Sequence, residues 1–210
     1  GLTSAGRLNY TVAIKDGTAT TPDGIQAGLR DPRISQFAAL APQIKTELAA
    51  ADLITITVGG NDVSSLFLNV KEMAAADFDA QLEQRLTAYG TNVKTALENI
   101  RAVNPAATIL LAPKIALGAN YTTLMSAAER FTGVADSITA SLNKAEAPVL
   151  TAHVAAQFAG VEASLTHIIG AGAADFHPTQ LGYEKIARVF AELVWGGYRT
   201  PAVPAMTTAN

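Results

Sequence analysis

The run Leu53-Ile54-Thr55-Ile56-Thr57-Val58, closed by Gly59-Gly60, constrains this chain more than any other segment. It is apolar and β-branched, has no helical period, and is bounded by glycine, so it reads as a strand. Apolar residues recur at helical spacing on both sides of it. Ile34, Phe37, Leu40, Ile44, Leu48 and Ala51 come before, and Phe78 to Val103 carries Leu82, Leu86, Tyr89, Val93, Leu97 and Ile100 on one face. Asn104-Pro105 stops that helix, and Thr108 to Leu111 reads as a second, buried strand. Tyr121 to Ala145 is a further amphipathic helix and Pro148 to Val154 a third strand. Pro178 to Trp195 is a final helix with proline in its first turn. Strands joined through helices predict an α/β chain, a three-layer α/β/α sandwich around a parallel sheet. Residues 1–32, rich in Gly, Thr, Asp and Pro, read as a long excursion over the surface. Within it Leu8 to Ile14 forms a short helix or strand, ended by Lys15-Asp16-Gly17.

Composition supports one core. Of 210 residues, 49% are hydrophobic and 16% charged, which excludes disorder and leaves enough apolar material for a single domain over residues 1–199. Residues 200–210, with two prolines and small polar residues, form a tail. The net charge of −3 offers no basic field for a phosphate backbone, so no nucleic-acid partner is expected. With no cysteine there is no disulfide, thiolate zinc site or cysteine nucleophile. The three histidines, His153, His167 and His177, show no H-x-x-x-H spacing, so neither a metal nor another cofactor is expected. No apolar run reaches transmembrane length, and Gly1-Leu2-Thr3-Ser4 does not open a signal peptide.

In an open parallel sheet the carboxyl ends of the strands face the site. Two segments put polar residues there. The first is Val58-Gly59-Gly60-Asn61-Asp62, where the glycines allow a tight turn and Asn61 offers an amide donor suited to an oxyanion. A plain strand-to-loop turn reads equally well. The second is Asp175-Phe176-His177-Pro178-Thr179, ahead of the last helix. His177 suits a general base, with Asp175 near enough in sequence to orient it. A capping loop with an incidental histidine is the other reading. His153, inside an apolar strand, reads as a core or edge residue, and His167 as structural. Ser64 and Ser65 read as caps for a short helix after Asn61-Asp62.

Taken together, the two segments resemble the SGNH (GDSL-type) hydrolase superfamily, over nearly the whole chain. Leu53 through Asp62 fits that family's strand and Gly-x-Asn-Asp block. His177-Pro178-Thr179-Gln180-Leu181-Gly182-Tyr183 fits its His-Pro block. The resemblance implies the SGNH, flavodoxin-like form of the α/β sandwich and serine ester hydrolysis. Asn61 matches the oxyanion asparagine and His177 the base. Asp175 is the candidate acid, two residues before the histidine where the commoner spacing is three and this chain has Ala174; a backbone carbonyl is the other way to orient His177. No Gly-Asp-Ser occurs in the chain. Gly1-Leu2-Thr3-Ser4-Ala5-Gly6 resembles the second family block, with Gly1 as the oxyanion glycine and Gly17 as a second candidate. On that reading the first strands and the nucleophile turn are absent, which explains three strands where roughly five are usual. The nucleophile then comes from a missing N-terminal segment or fragment of the same protein, and Ser4 is the fallback. The implied substrate is a small-molecule ester, an acyl-lipid or an acetylated sugar. Leu66, Phe67, Leu68 and Val70 favour an acyl chain as pocket wall, or else belong to the core. The implied location is secreted or cell envelope. The rival is a glycan- or lipid-binding module that has lost its nucleophile.

Overall fold

The computed structural model describes residues 2–18, 22–28, 36–68, 73–114, 122–167 and 177–196. In chain order the elements are α1 (Ser4–Asp16), α2 (Pro22–Ile25), α3 (Phe37–Ala50), β1 (Leu53–Gly59), α4 (Gly60–Leu68), α5 (Ala75–Val103), β2 (Thr108–Lys114), α6 (Thr122–Leu142), β3 (Val149–Thr151), α7 (Glu162–Leu165) and α8 (Gln180–Trp195), with a 3-10 turn at Ala155–Gln157. The strand order is β1-β2-β3. Both pairings are parallel, from Leu53 opposite Thr108 to Gly59 opposite Lys114, and from Ile109 opposite Val149 to Leu111 opposite Thr151. This is the α/β fold on a parallel sheet expected from the alternation of strands and helices.

Parallel neighbours need a crossover, and α5 and α6 supply the two here. Their apolar stripes meet over one sheet face, where Tyr89 and Phe131 pack edge to face with ring centroids 4.8 Å apart. Ile56, Val58, Ile109 and Leu111 complete this core with Val63 and Leu66 of α4 and Leu165 of α7. Leu66 therefore belongs to the core and does not line a pocket; the side chains of Phe67 and Leu68, and Val70, lie outside the described residues. Central strand β2 is sealed on both faces, since neighbouring Leu110 and Leu111 are both fully buried. In β1, Thr55 and Thr57 are exposed between buried Ile56 and Val58, so one of its faces is open.

Several boundaries differ from the sequence reading: β2 runs on to Lys114, α5 starts at Ala75 and α6 ends at Leu142. Strand β3 stops at Thr151 instead of running to Val154. The N–H of Ile109 bonds back to Pro148 and that of Ala152 reaches Leu111, so the odd residues of β2 face β3. The next such residue is Pro113, which has no N–H to extend the ladder. Helix α8 begins at Gln180, because Thr179 is its N-cap and Pro178 pairs with Thr166 outside the helix. Positions 64 and 65 fall inside α4, which starts at Gly60, and not at its start.

The larger correction concerns residues 1–32. They supply α1, a packed helix that buries Ser4, Gly6, Thr11, Ala13 and Ile14. Asn92 Nδ2 donates to Ser4 Oγ, and Asn99 Nδ2 donates to Thr11 Oγ1. Seven residues separate the members on both helices, so α1 and α5 run parallel with a polar rung every second turn. At the amino end of the sheet, Arg101 donates to the carbonyls of Ala107, Ala147 and Pro148. Beside it Asn104 bonds Leu48, Ala51, Ala106 and Ala107 backbone groups. These bonds tie the sheet at the end opposite the polar segments.

Candidate active site

Strand β1 ends at Gly59 with φ 123°, a conformation an L side chain rarely adopts. The chain therefore turns directly from β1 into α4, and Asn61 and Asp62 fall in the first turn of α4 at the carboxyl end of the sheet. Asn61 Nδ2 donates to the Leu2 carbonyl at 3.2 Å. Asp62 reaches the first turn of α1, where both carboxylate oxygens accept the Ser4 N–H at 3.0 Å. Ser4 Oγ also donates to Asp62 Oδ1. An amide nitrogen only donates, so the Asn92 bond to Ser4 Oγ leaves the hydroxyl proton directed at Asp62. Ser4 is 1% exposed.

This satisfies donors that a helix start leaves open. Thr3 is the N-cap of α1, its Oγ1 accepting the Gly6 N–H, while Gln26 Oε1 accepts both the Thr3 N–H and hydroxyl at 2.8 Å. The Asp62 carboxylate adds negative charge at the same helix end. Burial pushes the Asp62 carboxyl above the usual carboxylate range, opposed by the Ser4 bonds and by Arg85, whose guanidinium donates to the Asp62 carbonyl at 2.6 Å. Nearby Tyr89 is fully buried, and among the described residues its hydroxyl has no hydrogen-bond partner. Burial and then the Asp62 charge drive that phenol far above its ordinary range. Gly17, the second oxyanion-glycine candidate, is instead the C-cap of α1 with φ 68°. Gly1 lies outside the described residues.

His177 is exposed and stands two residues before the N-cap of α8. Its carbonyl accepts the His167 N–H at 3.0 Å, and Pro178 pairs antiparallel with Thr166. The Thr179 N–H donates to the Leu165 carbonyl at 2.9 Å, and its hydroxyl donates to the Ser164 carbonyl at 3.1 Å. The chain leaving the carboxyl end of β3 thus carries the partner of the His177 segment. Gly182 closes this seam: a Cβ there would stand 2.2 Å from the Leu165 carbonyl oxygen and 2.9 Å from Pro178 Cβ. Asp175 lies outside the described residues.

His153 corrects a sequence expectation. It is no interior strand residue but lies past the end of β3, 54% exposed, with Nε2 3.0 Å from Asp136 of α6. The shortened strand puts it there. The sequence reading also passed over Asp62, Asn92, Thr3 and Gln26. Only Asp62 left a local signal, by standing beside Asn61.

Both polar blocks fall inside residues 3–190, which match a family model described as GDSL-like Lipase/Acylhydrolase. The chain belongs to the GDSL-like lipase/acylhydrolase family. Membership of that family makes it a hydrolase of the esterase or lipase kind in general terms. Among solved structures, the lipase Lip_vut3 from a goat rumen metagenome is similar with a TM-score of 0.54 and 19% identity. The similarity covers 93% of this chain and 89% of that one, and at such identity it speaks for the fold. No curated protein matches the chain.

Proposed function

We propose that this GDSL-like chain serves a serine ester hydrolase in which His177 is the general base and Asn61 an oxyanion donor. The observation that carries the reading is topological. Asn61 follows the carboxyl end of β1, and His177 is paired to the segment that follows the carboxyl end of β3. That end of a parallel sheet is where reacting groups converge. The serine oxygen attacks the ester carbonyl carbon while His177 takes its proton. Asn61 and a backbone N–H, assigned to Gly1, hold the oxyanion. Collapse expels the alcohol, which His177 protonates. Water then attacks the acyl-enzyme by the same route in reverse. Asp175 is the proposed orienter of His177.

The nucleophile is proposed to come from outside residues 1–210. Two facts support this. Ser4, the fallback, has its hydroxyl buried between Asp62 and Asn92, where an ester cannot approach. And β1 has a neighbour on one side only among the described residues, with Thr55 and Thr57 exposed. An added strand at that edge would bring a further carboxyl end beside Asn61. Esters of acyl lipids or acetylated sugars, and a secreted or envelope location, remain within the proposal.

Labelling with a fluorophosphonate probe and mapping the modified peptide tests it. Label on a serine outside residues 1–210 is expected. Label on Ser4 overturns the assignment, and no label with no ester turnover favours the binding module. Asn61→Ala should lower turnover of a short-chain aryl ester by roughly 10²–10³ with the fold intact.

A further inference from the structure

An asparagine side chain has torsional freedom by nature, and an oxyanion donor must have that freedom removed. The Asn61 bond to the Leu2 carbonyl orients the carboxamide to the extent that Leu2 itself is fixed. Leu2 and Thr3 lead into α1; Gln26 holds Thr3, and the residue next to Asn61 holds Ser4. Asp62 grips the Ser4 N–H with both oxygens at 3.0 Å and takes the Ser4 hydroxyl as well. Arg85 bonds the Asp62 carbonyl from α5, and Asn92, also on α5, bonds Ser4 Oγ. The circuit is closed. It runs Asn61 to Leu2, along the backbone to Ser4, across to Asp62, and back to Asn61 through one peptide bond.

We propose that Asp62 is a positioning residue which, by clamping the first turn of α1, holds the Leu2 carbonyl and so sets the orientation of the Asn61 carboxamide. The proposal rests on the reading of Asn61 as oxyanion donor. A carboxylate is suited to the task because it accepts from backbone and hydroxyl of Ser4 at once. A carboxamide of the same size presents an N–H to a donor and breaks one of these bonds. Placement errors of about 1 Å at a reacting centre cost roughly 10²-fold in rate, so loosening of the helix start is transmitted to catalysis without touching substrate.

The test uses the full-length protein, including the segment that carries the nucleophile, and two variants, Asp62→Asn and Asp62→Glu. In nitrogen-15 NMR spectra, Asp62→Asn should shift the Asn61 side-chain amide pair and speed exchange of the Ser4 and Gly6 amides. The β1–β2 ladder amides should keep their protection. On an aryl ester, kcat should fall about 10–100-fold with KM within roughly two-fold. Asp62→Glu, which keeps the charge, should recover part of both signals, and it serves if Asp62→Asn does not fold. An unmoved Asn61 amide pair with wild-type kcat overturns the clamp. So does a loss in Asp62→Asn that Asp62→Glu leaves undiminished. Asn61→Ala separates the two ideas: unchanged turnover there sinks the oxyanion reading, while the NMR response still decides the clamp.

Discussion

The two arms of the candidate site are built by opposite means. Asn61 is itself exposed, as His177 is, but the arm that carries it is embedded. Its neighbour Asp62 is half-buried, Ser4 is sealed, and α1, α4 and α5 all contribute hydrogen bonds to one small region. The His177 arm is hung on the outside. It is exposed, backbone bonds tie it to the Leu165–His167 segment, and its closeness to that segment depends on one missing side chain at Gly182. An oxyanion donor must not move when charge appears, because preorganisation is the source of its effect. A base must exchange protons with substrate and water, so exposure suits it. The contrast follows the chemistry proposed for each residue.

Four changes would break or sharpen that contrast. The largest effect is expected from His177→Ala, which should lower ester turnover by roughly 10²–10⁴ while shifting stability by no more than about 0.5 kcal/mol, as for an exposed side chain. A large loss of stability in a thermal melt would show that the outer arm is as embedded as the inner one. Gly182→Ala comes next. Its Cβ meets a backbone oxygen, which cannot swing away, so unfolding in urea should show a loss of about 1–3 kcal/mol. Unchanged stability would mean that the α7–α8 seam yields easily.

The third prediction concerns pH. The Asp62 carboxyl is raised in the folded protein, so the folded state holds its proton to higher pH than the unfolded chain does. Its contribution to stability therefore falls as pH rises from the ordinary carboxylate value, about 3.9, through the raised one, and is flat above that. Denaturation measured across that window should show the slope in the wild type and lose it in Asp62→Asn. The smallest effect, and one of opposite sign, is expected for Tyr89→Phe. Removing a buried hydroxyl that has no partner among the described residues should stabilise by about 1 kcal/mol, read as a higher melting temperature. A loss instead would mean that the hydroxyl is held in solution.

The outer arm was more legible in the sequence than the inner one. His177-Pro178 ahead of a helical stripe is a local pattern, and Gly-Gly-Asn-Asp after a strand is another. The α1–α5 seam left no such pattern. Its contacts are Ser4 with Asn92 and Thr11 with Asn99, polar residues that a search for apolar periodicity scores as solvent-facing. A segment holding Gly, Thr and Lys-Asp-Gly then looked like surface. The ends of β3 and α8 were missed for a related reason. Whether Pro113 faces a neighbour, or Pro178 enters a helix, depends on pairing across the fold.

By itself the sequence determined the alternation of strands and helices, the parallel sheet, the family, and the two polar blocks on which the proposed roles of Asn61 and His177 rest. All of these are carried by spacing within short windows, where backbone geometry dictates which residue types can follow one another. Tertiary structure decided what those residues touch. It turned Ser4 from a candidate nucleophile into the buried partner of Asp62, moved His153 out to Asp136, and gave Gly182 its reason for lacking a side chain. These outcomes depend on groups 17 to 88 positions apart brought within hydrogen-bond or van der Waals distance. Local spacing holds no information about such distances until the core has closed.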